Sequence, residues 1–203
     1  MSGEQALLCE GADLMGISLS EEQTQQLLDY ATLIQKWNKT YNLSAIRDPL
    51  ESVKKHLIDS LSVLPFIKKG RLLDVGAGAG LPGIVIAIMR DDVRVTVLDS
   101  VGKKCHFMQV VKTELQLSNL SVVNARVESF SPESLYSQIT SRAFAEVDKT
   151  LNLTKHLLEV GGSYVLMKGD RADEEGVVDA KIVSHSLNVP FVSDRRSLLE
   201  IHL

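Results

Sequence analysis

The sequence predicts an α/β protein: a doubly wound domain on a mostly parallel sheet, preceded by a helical extension. Three observations carry this. From residue 71 onward, short Val-, Ile- and Leu-rich runs alternate with helical patterns, the signature of strand–helix units in a parallel sheet. The first such unit turns through "GAGAGLPG" (76–83), a glycine-rich strand-to-helix loop. The first 68 residues contain no comparable strand but do carry an apolar stripe at helical spacing.

In chain order, "SLSEEQ" reads as a helix start, with Ser20 and Gln23, or Ser18 and Glu21, at capping-box spacing. Leu27, Ala31, Ile34, Trp37 and Tyr41 then form the stripe, with Asn38, Lys39 and Asn42 off it. "RDPLESVKKHLIDSLSVLPFI" holds one or two further helices, in which His56 and Asp59 share a face. "RLLDV" (71–75) is a buried-type strand and "LPGIVIAIM" (81–89) a helix with Pro82 in its first turn. "VRVTVLD" (93–99), "LSVVNA" (120–125), "QITSRA" (138–143) and "SYVLMKG" (163–169) are the following strands. Between them, helices are expected over 102–117 and over 146–160, the latter closed by Gly161–Gly162. Residues 180–187 and 196–203 suit a terminal strand pair. The expected division is a helical extension over 1–68 and a domain over 69–203, forming one compact unit.

Bulk properties exclude several classes. Of 203 residues, 44% are apolar, enough for a core, and no apolar run approaches the roughly 18 residues of a membrane span. The start "MSGEQALLCEG" lacks a signal-peptide pattern, and Cys9 and Cys105 form no C-x-x-C pair. A reducing, cytoplasmic setting, no membrane partner and a monomer are the expectations. The five histidines show no metal-ligand spacing, so no metal site is expected. The net charge of −4 weighs against nucleic acid. Basic clusters at 54–56, 68–71, 103–104 and 195–196 nevertheless leave a composite patch open.

The chemistry concentrates at the glycine loop. In a doubly wound sheet, ligands bind at the carboxyl ends of the strands. Gly78 to Gly83 formally satisfies G-x-G-x-x-G, and Asp99 ends the second strand about twenty residues on. A carboxylate there accepts from both ribose hydroxyls of an adenosine; alternatively it caps the helix that follows "SVGKK". Loop plus acid does not separate NAD from S-adenosyl-L-methionine. Three features favour the latter. Asp74 lies two residues before Gly76, where a pyrophosphate would be repelled. Pro82 removes a backbone donor from the helix start. The chain also leaves little room for a dehydrogenase's substrate domain. Val127 and Glu128, after the third strand, are candidates for holding adenine, although Glu128 taken alone reads more readily as a surface acid.

"KWNKTYNLSAIRD", "HLIDSL", "LLDVGAGAGLPGI", "LDSVGKK", "SRAFA" and "LMKG" occur in this order, and together they resemble the bacterial small-subunit ribosomal RNA methyltransferase G family, over about residues 15 to 170. The resemblance implies a Rossmann-like class I methyltransferase that uses S-adenosyl-L-methionine to methylate N7 of a guanosine in 16S ribosomal RNA, within the small ribosomal subunit. It places Asp74, Gly76, Gly78, Gly80, Leu81, Asp99, Val127, Glu128 and Arg142 at the cofactor. It makes Arg142 and Lys168 the catalytic candidates, and Arg126, Arg142, Lys168, Asn38 and His56 the RNA-binding ones. The chain departs from the family where an aromatic–Asp pair is replaced by Tyr136–Ser137 and where a basic tail is replaced by "LLEIHL". The tail's RNA contact is then either missing or supplied by Arg195 and Arg196. Guanine N7 offers an in-plane lone pair and releases no proton. The reaction therefore demands positioning and electrostatics rather than a general base, which fits a chain without a Ser–His–Asp or Cys–His set. "NVPF" (188–191) is similar to a loop of enzymes that methylate exocyclic amines, but it follows the fifth strand and reads as a connection between terminal strands.

Overall fold

The structure is a computed structural model that describes residues 2–169 and 181–203. The sheet contains β1 (Gly70–Val75), β2 (Val93–Asp99), β3 (Leu120–Asn124), β4 (Tyr136–Arg142), β5 (Leu158–Lys168), β6 (Lys181–Leu187) and β7 (Arg196–His202) in the order β3-β2-β1-β4-β5-β7-β6. The first five strands run parallel; β7 is antiparallel to both β5 and β6. The order reverses between β1 and β4, so the loops leaving these two strands form the switch-point crevice.

Sheet alternation sends Leu72, Val95 and Val97 to one face and Leu73, Val75 and Leu98 to the other. On the first face they meet α5 (Gly83–Met89) and α6 (Gly102–Glu114). On the second they meet α7 (Val147–Thr154), through Val147 and Leu151. The extension comprises α1 (Gly3–Leu14), α2 (Glu21–Tyr41), α3 (Pro49–Ser52), a π-helical turn over Val53–Ile58 and α4 (Asp59–Leu61). Its Leu8, Leu27, Tyr30, Ile34 and Leu57 belong to the same apolar cluster as Ile84, Val85 and Phe107 of the sheet domain.

Ser20 and Gln23 form the expected capping box of α2, each side chain bonded to the other's backbone N–H at 3.1 Å. Such a cap contributes about 1 kcal/mol. Trp37 packs on Tyr41 and Phe107 at centroid distances of 5.2 and 5.6 Å, a packing role on the rim of the core. Helix α1 has no counterpart among the expected elements. It is capped by Ser2 and places Gly11 so close to Ile58 that a Cβ could not fit without displacing that side chain.

The helix expected over 146–160 is cut short. It ends at Thr154, and after a tight turn at 155–157 the chain is already extended from Leu158. Leu158 pairs with Tyr136 and Ser163 with Gln138, so the extra residues form an irregularity in the ladder. Residues 188–191 do connect the terminal strands. Ser137, at the family's aromatic–Asp position, braces β1 by accepting from Arg71 N–H (3.1 Å) and donating to Arg71 C=O (2.9 Å).

Candidate active site

The loop after β1 is held by its own backbone and by two carboxylates. Gly76 and Ala77 donate to Leu98 C=O (2.8 and 3.1 Å), and Gly80 and Leu81 donate to Ala77 C=O (2.8 and 3.0 Å). Gly78 N–H donates to Asp99 Oδ2 at 3.0 Å, and Gly83 N–H to Asp74 Oδ2 at 2.8 Å. Gly76 takes a positive φ of 66°, and a side chain there would collide with the ring of Phe144. With these donors satisfied and Pro82 lacking one, the loop does not offer the row of free N–H groups that holds a pyrophosphate.

Asp74 is wholly buried beneath the loop and faces the start of α5; it does not line the adjoining cleft. Burial pushes its pKa up to about 7, against the opposing pull of the Gly83 N–H and the Arg142 charge, and Oδ1 has no partner. The structure thus corrects the placement of Asp74 beside the cofactor: it braces the loop from below. Gly80 and Leu81 are buried in the same way. Tyr30, from α2, reaches the loop and donates its hydroxyl to Ala79 C=O at 2.7 Å.

A cleft of about 290 Å³ opens beside the loop, lined by Gly76, Asp99, Val101, Val127, Glu128 and Phe144 among others. Asp99 accepts from Val101 N–H through Oδ1 (2.8 Å), from Gly78 N–H through Oδ2, and lies 3.7 Å from Lys104. It therefore fixes the turn before α6 and the glycine loop together. Each oxygen keeps a lone pair for a further donor. The N-cap reading of Asp99 is corrected: the cap of α6 is Val101, and the carboxylate braces the turn before it. The cleft is lined by this carboxylate, an acceptor suited to ribose hydroxyls, and by the Val127–Glu128 turn, whose apolar and polar groups suit a purine. Arg126 is exposed on this cleft, away from the other basic candidates.

A second cavity, of about 410 Å³, lies across Ala143, which lines both. Its walls are Ile46, Lys55, His56 and Asp59 from the extension, and Arg142, Met167, Lys168, Gly169 and Arg196 from the sheet. Two of the basic clusters, those at 54–56 and 195–196, converge here, as a composite patch requires. Arg142, the last residue of β4, donates from Nη1 to Lys55 C=O (2.9 Å) and Asp59 Oδ2 (3.2 Å). Its ion pair is thus with Asp59. Lys168 donates to Ala145 C=O at 3.1 Å. His56 is buried beside them, with Nε2 2.9 Å from Ser44 Oγ. Burial, and then the Arg142 charge, lower its pKa to about 4, so it is neutral at pH 7. It makes no hydrogen bond to Asp59.

Asn38 is the residue whose expected role fits its place least. It is 1% exposed, donates to Ile46 C=O (3.1 Å) and accepts from Ser44 N–H (2.9 Å). Its amide shapes the loop over 42–48, which delivers Ile46 to the second cavity. An RNA contact needs a surface that this side chain does not have. Ile46 and Met167 are the cavity residues that the sequence did not single out. Asp59 was noted only for its i, i+3 spacing from His56, and Arg196 only as part of a basic cluster.

The family model described as GidB, rRNA small subunit methyltransferase G, matches residues 23–199. A protein named ribosomal RNA small subunit methyltransferase G from Ruthia magnifica subsp. Calyptogena magnifica is 55% identical over 195 residues, covering 96% of each chain. The protein of that name from Methylobacillus flagellatus is 49% identical, covering 93% of each. Among solved structures, a SAM dependent methyltransferase from Aquifex aeolicus superposes with a TM-score of 0.57 at 14% identity, over 72% of this chain and 91% of that one. Coclaurine N-methyltransferase gives 0.56 at 14% identity, over 91% of this chain and 71% of that one. These two likenesses show the fold.

Proposed function

Because this chain belongs to the rRNA small subunit methyltransferase G family, we propose that it methylates N7 of a guanosine in 16S ribosomal RNA, using S-adenosylmethionine. The observation that supports this most directly is the pair of cavities meeting at Ala143. One is suited to an adenosine-containing donor. The other is lined by the apolar Ile46 and Met167 together with Lys55, Arg142, Lys168 and Arg196. A purine swung out of its stack fits the apolar pair, and the phosphates on either side fit the cations.

S-adenosylmethionine supplies the methyl group when bound. Asp99 accepts from its ribose hydroxyls, the Val127–Glu128 turn holds its adenine, and the glycine loop sets how closely it approaches the acceptor cavity. Arg142 stands at the junction of the two cavities and orients the acceptor; Lys168 and the outer cations hold phosphate. No side chain is needed to remove a proton, because N7 attacks with a lone pair it already exposes. The neutral, hydrogen-bonded His56 agrees with that requirement. Catalysis then rests on holding N7 in line with the transferable methyl group. The net charge of −4 favours a substrate presented by ribosomal proteins in the small subunit over naked RNA. We further propose that the protein acts as a cytoplasmic monomer. No helix among the described residues is long and apolar enough to cross a membrane.

The test is transfer of label from tritiated S-adenosylmethionine to assembled small subunits and to deproteinised 16S RNA at matched salt, followed by strand scission at N7-methylguanosine. Label at one such site, greater in subunits, is the expected result. Label at another atom or in no RNA overturns the proposed reaction, and equal labelling of both substrates overturns the proposed substrate form.

A further inference from the structure

Among the described residues, Asp59 is the one carboxylate in the wall of the acceptor cavity, and it is 3% exposed. It receives two arginines from different parts of the sheet: Arg142 Nη1 on Oδ2 at 3.2 Å, and Arg196 Nε on Oδ1 at 3.0 Å. Arg142 ends β4 and Arg196 begins β7, so a single side chain of the extension ties down both strand ends. Arg142 keeps a further bond to Lys55 C=O at 2.9 Å, whichever residue stands at 59. Arg196 is also anchored on Arg195 C=O at 3.2 Å.

The charge balance of this wall matters because of the reaction proposed above, on which this inference rests. N7 forms its new bond with its own lone pair, the C–S bonding pair stays with sulfur, and no proton leaves. The positive charge therefore passes from the sulfonium to the purine. A base that becomes cationic is disfavoured beside Lys55, Arg142, Lys168 and Arg196, and His56 adds no negative charge. The outer cations can be met by RNA phosphates. Arg142 and Arg196 share the buried Asp59, and Arg196 also lies 3.6 Å from the exposed Asp194.

We propose that Asp59 is a positioning residue for the methyl acceptor: it holds Arg142 and Arg196 at the inner wall and cancels one of their charges where the base turns cationic. Removing it leaves the cavity more positive. That favours RNA phosphate in the ground state and opposes charge development during transfer, so affinity and turnover move in opposite directions. A merely structural loss would weaken both.

The experiment compares wild type, Asp59→Asn and Asp59→Asn/Arg196→Gln by label transfer into small subunits, with kcat and KM for the subunit, the S-adenosylmethionine Kd and a melting curve for each. Asp59→Asn is expected to lower kcat at least tenfold, with KM for the subunit unchanged or lower and the cofactor Kd within twofold. The double variant restores the local charge and is expected to recover at least threefold of the lost kcat. It also serves as the test if the single variant does not fold. A folded Asp59→Asn with kcat within threefold of wild type, or a KM that rises as kcat falls, overturns the proposal, as does a double variant slower than the folded single one. If only the double variant folds, a kcat more than tenfold below wild type overturns it. A wild-type protein that labels no RNA overturns the reaction itself, and this inference with it.

Discussion

Replacing Asp99 by Asn separates the bracing that this carboxylate performs from the ribose binding proposed for it. Asp99 accepts from Gly78 N–H at 3.0 Å and from Val101 N–H at 2.8 Å, one on each oxygen. An asparagine keeps one oxygen and turns an NH2 group toward the other N–H, so one bond is lost and a donor faces a donor. A hydrogen bond to a charged group contributes about 1.5–3 kcal/mol. For a chain of this length that corresponds to a melting temperature lower by roughly 3–12 °C without ligand. The ribose hydroxyls lose their charged acceptor as well. A second loss of about 1.5–3 kcal/mol weakens S-adenosylmethionine by roughly 10- to 100-fold. Calorimetric melting of the free protein reads the first effect, and titration of the folded variant reads the second. An unchanged melting temperature would refute the bracing role; a Kd within twofold of wild type would remove Asp99 from the cofactor site.

Three other perturbations have defined outcomes. Tyr30→Phe removes the 2.7 Å bond to Ala79 C=O and is expected to lower stability by about 1–2 kcal/mol and to weaken the cofactor, read by melting and titration. Ala143→Gly relieves a φ of 54° at the junction of the cavities and is expected to raise the melting temperature by about 2–4 °C, with the extra freedom lowering kcat in the label-transfer assay. Asp74→Asn is expected to alter the pH dependence of stability. Asp74 titrates near 7 when folded but near 3.8 when unfolded, so its contribution falls as pH rises from about 4 to 7. His56 titrates near 4 when folded and near 6.5 when unfolded, so its contribution rises between those values. The two slopes oppose each other in wild type; in Asp74→Asn the denaturation midpoint should climb from pH 4 to 6.5, and a flat profile would contradict the assignment.

The sequence made the sheet and the cofactor loop legible because both are local. Alternation located all seven strands, and "DVGAGAGLPG" with Asp99 located the loop and its acid. What escaped was non-local or disguised. Asp59 and Arg196 lie 137 residues apart, and nothing in a linear reading pairs them. Asn38 continues the spacing of Leu27, Ala31 and Ile34, so the stripe already placed it inward; its polarity suggested the opposite face. A buried amide is stable there only because Ser44 N–H and Ile46 C=O satisfy it. The segment at 158–160 has the composition of a helix end, yet pairing with β4 outweighs that preference. The second-cavity residues Ile46 and Met167 carry no chemical signature at all, since their contribution is shape.

The extension is therefore more than a cover for the sheet. The strand ends and the loops leaving them line the proposed cofactor cleft on their own. The acceptor cavity is only half built by the sheet; Ile46, Lys55, His56 and Asp59 complete it from the extension. The same extension touches the cofactor loop through Tyr30 and the cavity junction through Lys55 and Asp59, both of which hold Arg142. A shift of the extension relative to the sheet would disturb the glycine loop and the arginine wall together, because both are bonded to its helices. On the proposed function, residues 42–59 shape the acceptor cavity while residues 74–83 and 99 shape the cofactor cleft. The second segment is braced against the extension through Tyr30, so a change in either is expected to reach both cavities.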